Sequence, residues 1–465
     1  MAKPKKPKIV MLYPPDSTTD EINDMHLLYF RALEKLNRKY DITVVGRISR
    51  ERFKETCPVR LKYVDFFDVK ISSATPASLD ISDKEKRLDI SLRYMFNCCQ
   101  DRWDWYSCNR NHKKLASRYV RVWEWLLADT DILLTTLDTL FFIYTAESVA
   151  RKAGVHIIKP VNGRLVDNSV ALWDDDGVPL DAEGDDGIYE RFVARVAERR
   201  QIKLHTSSIS DKHGLLKRML DVPRKAIIML SCDRWKVDCD IPDIIDKYLV
   251  LFDRGLHLLS YPALHSLMYS KPMAGERYIL FPLHFKWESN LSYRSPYLGQ
   301  IELIYQLSIT VPEGMKIYVK AHPHWRNCDQ SLLLMLFLKF RSDIIRIISP
   351  DENTADLIRD SAGVAVINST VGYEALYAGK PLIVFGHEFF RYAPGAYDIK
   401  DMNALPEAVM RMAYGKRSPC ADEDDKDFVN RYASMLMDAN PESVSEGMDK
   451  AFKKVMSWNG KISAR

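Results

Sequence analysis

No apolar run in this 465-residue chain approaches the ~20 residues needed to cross a bilayer, so a membrane-spanning architecture is not expected. The basic start (Lys3, Lys5, Lys6 and Lys8, interrupted by Pro4 and Pro7) leads into a short apolar stretch, 9–13, too brief for a secretory signal. A large excess of one charge is also missing. The net charge is +4, which supplies no general attraction to nucleic acid, and no nucleic-acid partner is expected. None of the eight cysteines forms a C-x-x-C pair, which excludes zinc-ribbon and thioredoxin-type sites. Their scatter fits a reducing compartment. Neither an H-E-x-x-H zinc motif, nor a phosphate-cradling G-x-x-x-x-G-K, nor a short-period repeat occurs. A cytoplasmic protein is expected, with the basic tail as its one candidate for peripheral membrane association.

Hydrophobic residues make up 46% and charged residues 28%, enough for sizeable cores, and the length suggests about three domains or two large ones. In the first half, 8–13, 41–45, 132–135 and 155–159 are short apolar runs of strand type, separated by amphipathic stretches at 19–37, 111–128 and 137–153. Strands alternating with helices predict right-handed parallel crossovers and a doubly wound sheet. The acidic stretch 174–186 is expected to be a solvated loop, 189–201 and 212–221 helices, and 226–230 a further strand. The alternation restarts with strands at 278–281, 316–319, 344–348, 363–367 and 381–385, and helices at 427–440 and 444–457 close the chain. The expected fold class is α/β: two tandem Rossmann-like doubly wound domains facing a cleft, with C-terminal helices. The first domain spans 1–240, a helical connector 241–275, and the second domain 276–415; the helices of 416–465 are free to pack back on the first. Open α/β sheets bind ligands beyond the carboxyl ends of their strands, so such a cleft suits two substrates.

Three segments at expected strand ends can carry chemistry. Asn368-Ser369-Thr370-Val371-Gly372-Tyr373-Glu374 follows one strand and opens a short helix. Two hydroxyls in front of unpaired backbone N–H groups can hold a phosphate, Gly372 permits close approach, and Glu374 can accept from ribose hydroxyls. Ser and Thr are also favoured as simple helix caps, and Glu suits a first turn, so an ordinary structural explanation exists as well. In Lys320-Ala321-His322-Pro323, proline stops the strand and leaves His322 at the sheet edge, where an imidazole can support a departing nucleotide. A plain turn histidine is the alternative. The segment 281–288 puts His284 and Glu288 beyond another strand, within reach of a sugar, with Trp287 able to pack on a ring.

Pro282-Leu283-His284 with Glu288, then Gln300, then Tyr318-Val319-Lys320-Ala321-His322-Pro323, then Ser369 through Leu376 with Gly379-Lys380-Pro381, form an ordered set. In these segments, over about 278–390, the sequence resembles the bacterial capsule polysaccharide and surface carbohydrate biosynthesis proteins. That family includes sugar transferases acting on Kdo and is distantly similar to polysialyltransferases. The resemblance implies a GT-B glycosyltransferase whose C-terminal domain holds a nucleotide-sugar donor. His322 and Pro323 would lie by the donor phosphate, Ser369 and Thr370 on it, and Glu374 near the ribose; His284, Lys320 and Gly372 complete the candidate donor site. The chain departs from the family where Lys286-Trp287-Glu288 replaces Gln-Pro-Glu and where Ala321 replaces Glu.

The acceptor side is expected from the N-terminal half, with Asp138 past the strand 132–135 and Arg164 and Asp167 past the next. His322, Asp138 and Glu288 make up the candidate catalytic set. Asp238-Cys239-Asp240 matches the D-x-D pattern of metal-dependent transferases, but the tandem-domain reading needs no metal, and neither metal nor other cofactor is expected. The expected partners are a nucleotide-sugar donor and a glycan or lipid-linked glycan acceptor. A CMP-activated acidic sugar such as CMP-Kdo follows from the resemblance alone, and a UDP-sugar comes next. A sugar-nucleotide epimerase, a polyol-phosphate transferase and a non-catalytic nucleotide-binding partner are alternatives on the same fold, and retention or inversion is open.

Overall fold

The computed structural model describes residues 5–13, 24–70, 81–91, 110–136, 141–163, 165–166, 168–180, 187–201, 269–284, 295–297, 299–322, 339–340, 343–415 and 419–458. It divides into two compact units, Met1–Arg191 with Arg431–Arg465, and Phe192–Asn430. The helix expected at 212–221, the strand at 226–230 and most of the connector lie outside the described residues.

In the first unit, β1 (Lys8–Tyr13), α1 (Asp24–Leu36), β2 (Asp41–Gly46), α2 (Arg50–Thr56), β3 (Lys62–Asp65), α3 (Ile81–Leu88), α4 (Arg110–Leu127), β4 (Ile132–Leu134), α5 (Phe141–Ala153), β5 (His156–Asn162) and β6 (Ser169–Trp173) follow in order, and α6 (Gly187–Gln201) leads out. The second unit contains β7 (Arg277–Pro282), α7 (Gln300–Ser308), β8 (Met315–Lys320), β9 (Ile345–Ile348), α8 (Thr354–Asp360), β10 (Gly363–Val366), α9 (Val371–Tyr377), β11 (Leu382–Val384), β12 (Ala396–Asp398), α10 (Leu405–Tyr414) and most of α11 (Pro419–Ala433). The chain then returns to the first unit with β13 (Met437–Asp438) and α12 (Pro441–Ser457).

The first sheet has the order β13-β6-β5-β4-β1-β2-β3. β1 to β5 are parallel, and β6 and β13 add an antiparallel edge that the apolar runs do not announce. β1 lies between β2 and β4 and is buried from Ile9 to Tyr13, which is why its sequence is apolar without alternation. The helix expected at 427–440 is corrected: α11 ends at Ala433, and Met437–Asp438 pairs with β6 instead. The spacing of Val429, Tyr432, Ala433 and Leu436 is helical and all four are buried. The open edge of β6, however, offers backbone partners to the residues before Pro441, and the Ala439 N–H donates to the Asn168 carbonyl at 2.9 Å.

The expectation of a solvated acidic loop at 174–186 is also corrected for Asp175. Lys159, only 3% exposed on β5, donates to Asp175 at 2.9 Å and lies 3.4 Å from Glu147 of α5, which is wholly buried. Arg151 pairs with both carboxylates, at 3.1 Å from Glu147. A buried ammonium requires such neutralisation, and the turn at Gly177 (φ 78°) brings the acid back over the sheet. Burial pushes the Asp175 carboxyl up, but Lys159 and Arg151 outweigh it and hold it well below the usual range.

α12 packs its apolar stripe of Val444, Met448, Ala451, Phe452 and Val455 into the same core as Ile9, Leu33 and Ile42. Asn440 caps it by accepting from the Ser443 N–H at 2.9 Å. On its flank, Asp449 accepts from Lys39, Tyr40 and Lys453, each at 2.8 Å. Burial raises this carboxyl, but the three donors prevail and bring it down to about 2. Because the folded value lies below the unfolded one, the stabilisation is complete above pH ~4 and is lost as the pH falls toward 2. Thermal melts between about pH 5 and about pH 2 should show an acid limb that Asp449→Asn flattens.

The second sheet is fully parallel, in the order β12-β11-β10-β7-β8-β9. The chain runs outward through β8 and β9, then crosses to the other side of β7 and runs outward again. This is the strand order of dinucleotide-binding sheets, and its direction reverses between β7 and β10. Ile279, Phe281, Ile317, Val319 and Ala365 share a core with Leu303, Ile304 and Leu307 of α7 and with Leu405 and Val409 of α10. The ring of Tyr278 stacks on that of Tyr318 at 3.8 Å.

Candidate functional site

The parallel register aligns the residues just past the strand ends of the second unit. Gly363 pairs with Ile279, Pro282 with Lys320, and Val366 with Val384. Carrying those registers forward sets Gly386, Asn368, His284 and His322 in one row across β11, β10, β7 and β8. The row crosses the point where the strand order reverses, the place where open α/β sheets bind ligands. Three of its members lie in the segments singled out from the sequence. Gly386 was missed, although its position directly after the run 381–385 is the same signal.

Each loop in the row is held by identifiable contacts. The Ala321 N–H donates to the Ile348 carbonyl at 3.0 Å, so His322 is the first residue beyond the ladder, and it is half-buried. Asn368 is 1% exposed and its backbone N–H donates to His284 Nε2 at 3.3 Å. A Cβ on Gly386 would meet Asn368 Oδ1 at 2.1 Å, so only glycine allows β11 to close on that side chain. Gly372 is needed likewise, because a Cβ there would lie 2.7 Å from the buried ring of Phe390.

The turn after Asn368 has donors to offer. Ser369 Oγ accepts from the Val371 N–H at 3.3 Å, and the N–H groups of Gly372 and Tyr373 are taken by Ser369 and Thr370 carbonyls at 2.9 and 3.1 Å. The backbone N–H groups of Ser369 and Thr370 and the Thr370 hydroxyl have no hydrogen-bond partner among the described residues. Consecutive free N–H groups at a strand-to-helix turn form an anion-binding concavity. Glu374 follows one turn later on α9, 8% exposed.

Two expected donor residues are turned inward. Lys320 is 4% exposed, and its amine donates to the Pro350 carbonyl at 3.0 Å, tying β8 to the loop after β9. Burial lowers its pKa to about 8, against the pull of Asp351 and Glu352. His284 is 3% exposed. Pro323 and Glu288, and on the acceptor side Asp138, Arg164 and Asp167, lie outside the described residues, as do Asp238 and Asp240. Among the described residues no cluster of three or more His, Cys, Asp or Glu could hold a metal ion, and no helix is long and apolar enough to cross a membrane.

Two Rossmann-like units, the second with a polar row across its switch point, place the chain in the α/β class. Residues 262–401 match the family model described as capsule polysaccharide biosynthesis protein, which bears out the resemblance read from the sequence. That stretch holds His284, His322, Ser369 and Thr370. Among solved structures, the chain is similar to the beta Kdo 2,7 transferase KpsC of Thermosulfurimonas dismutans, at 16% identity over 71% of this chain and 88% of that one, with a TM-score of 0.33. It is also similar to the UDP-GlcNAc 2-epimerase of Methanocaldococcus jannaschii, at 14% identity over 88% and 94% of the two chains, with a TM-score of 0.26. No curated protein matches the chain.

Proposed function

We propose that the protein is a glycosyltransferase of capsule or surface polysaccharide assembly, which moves a sugar from a nucleotide donor held by the second unit to a glycan or lipid-linked glycan. The observation that carries this reading is the pair of uncommitted N–H groups with the Thr370 hydroxyl at the switch point, inside the stretch that matches the capsule family. In this reading those donors take the donor's phosphate oxygens. His322 stabilises the charge that develops as the glycosidic bond breaks, and Glu374 accepts from the ribose. CMP-Kdo or a similar CMP-sugar is the favoured donor, on the strength of the family resemblance, and a UDP-sugar is next. Positive potential comes from backbone N–H groups and an imidazole, so the reaction needs no metal ion. The basic N-terminal tail brings the enzyme to the membrane surface where a lipid-linked acceptor would lie.

The test is nucleotide release from CMP-Kdo and from UDP-sugars, with and without an oligosaccharide acceptor, in excess EDTA. Release that depends on the acceptor and persists in EDTA is expected. Conversion of the sugar nucleotide with no acceptor present would identify an epimerase instead, and binding without turnover on any acceptor would identify a non-catalytic partner.

A further inference from the structure

We infer that His284 is a positioning residue which, through a buried relay from Gln300 to Asn368, presets the donor-phosphate turn before any ligand arrives. This inference rests on the donor-site reading above. The side-chain amide of Gln300, 4% exposed at the start of α7, grips both backbone groups of His284. Gln300 Oε1 accepts from the His284 N–H at 2.7 Å, and Gln300 Nε2 donates to the His284 carbonyl at 3.1 Å. Past the last residue of β7, this amide supplies the two hydrogen bonds a neighbouring strand would otherwise give. The imidazole, fixed at its root, reaches across the switch point and accepts the Asn368 N–H on Nε2.

The contact is short enough and directed so that Nε2 serves as the acceptor for the backbone of the turn. Asn368 is held from the other side by Gly386, whose missing Cβ leaves room for the amide. The residue immediately before the two free N–H groups is therefore clamped between β7 and β11, and the direction of those donors is set by buried contacts rather than by ligand. Donors fixed in advance bind an anion without a further ordering cost. His284 is 3% exposed, and its burial together with the grip of Gln300 suits it to this supporting role.

The experiment compares His284→Phe, which keeps ring volume and removes the acceptor, with His284→Gln, whose Oε1 can reach the place of Nε2. Amide hydrogen exchange at Asn368 is followed by NMR, and affinity for CMP and UDP by calorimetry. The phenylalanine variant should exchange the Asn368 amide roughly tenfold faster and bind the nucleotide roughly tenfold more weakly, as expected for one lost buried hydrogen bond. The glutamine variant should recover most of both. Unchanged Asn368 exchange in His284→Phe, or a glutamine variant no better than phenylalanine, would overturn the relay. If the wild-type protein binds neither nucleotide, the exchange comparison still decides the relay, and only the donor-site reading falls. Should His284→Phe fail to fold, Gln300→Glu keeps the acceptor for the His284 N–H and removes the donor to its carbonyl. It too should speed Asn368 exchange, and no change there would equally refute the relay.

Discussion

Replacing His322 by alanine should lower sugar transfer by about two to three orders of magnitude while leaving the melting temperature nearly unchanged. The size follows from where charge develops. When the bond from sugar to phosphate breaks, the leaving nucleotide gains negative charge, and a donor fixed beside it stabilises that state more than the ground state. His322 suits the role because its backbone is set by the last ladder bond of β8 while its side chain remains half-open to solvent. The small effect on stability follows from the same position, outside the clusters that make up the core. His322→Gln, which restores a neutral donor, should recover part of the rate. Wild-type turnover in the alanine variant would remove His322 from the mechanism.

Replacing Lys159 by methionine should destabilise the first unit by about 3–5 kcal/mol. Methionine fills the apolar stem's place but withdraws the positive charge shared by Glu147 and Asp175. Glu147 is wholly buried, and burial pushes its carboxyl up even with Lys159 and Arg151 beside it. The remaining cation, Arg151, has a side chain 42% exposed and is already shared with Asp175, so it neutralises the site only in part. Urea unfolding should show the loss in one transition and leave that of the second unit in place. The Glu147→Gln, Lys159→Met double variant should cost less than the sum of the singles, because the uncompensated charge disappears with its partner. A single-variant loss below about 1 kcal/mol would mean that water or Arg151 already screens the carboxylates.

How much of this was legible beforehand varied with how the information is stored. The five apolar runs of the second half mark β7 to β11 because buried parallel strands need uninterrupted apolar residues. β12, with the half-buried sequence Ala-Tyr-Asp, carries no such run, and β13 is two residues that exist only because β6 leaves an edge open. In the candidate site, the rule that ligands bind beyond strand ends singles out the segments of His284, His322, Ser369 and Thr370, since it needs only the strand boundaries. It could not tell that His284 and Lys320 turn inward. That depends on Gln300 and Pro350, sixteen and thirty residues away along the chain. Asp175 misled for a similar reason: three aspartates beside a glycine look solvated until a buried lysine on a neighbouring strand is taken into account.

The central claim, that the carboxyl edge of the second sheet binds the nucleotide of a sugar donor, is tested most directly by thermal shift with CMP, CDP, UDP and GDP. The wild-type protein and a Thr370→Val variant should be run side by side. A nucleotide at about 100 times its dissociation constant adds about 2.7 kcal/mol, a readable shift. Selective stabilisation of the wild type by one nucleotide, CMP foremost and UDP next, with a smaller shift in Thr370→Val, is the result predicted here. No shift with any nucleotide, or an equal shift in the two proteins, would contradict a donor site at this edge.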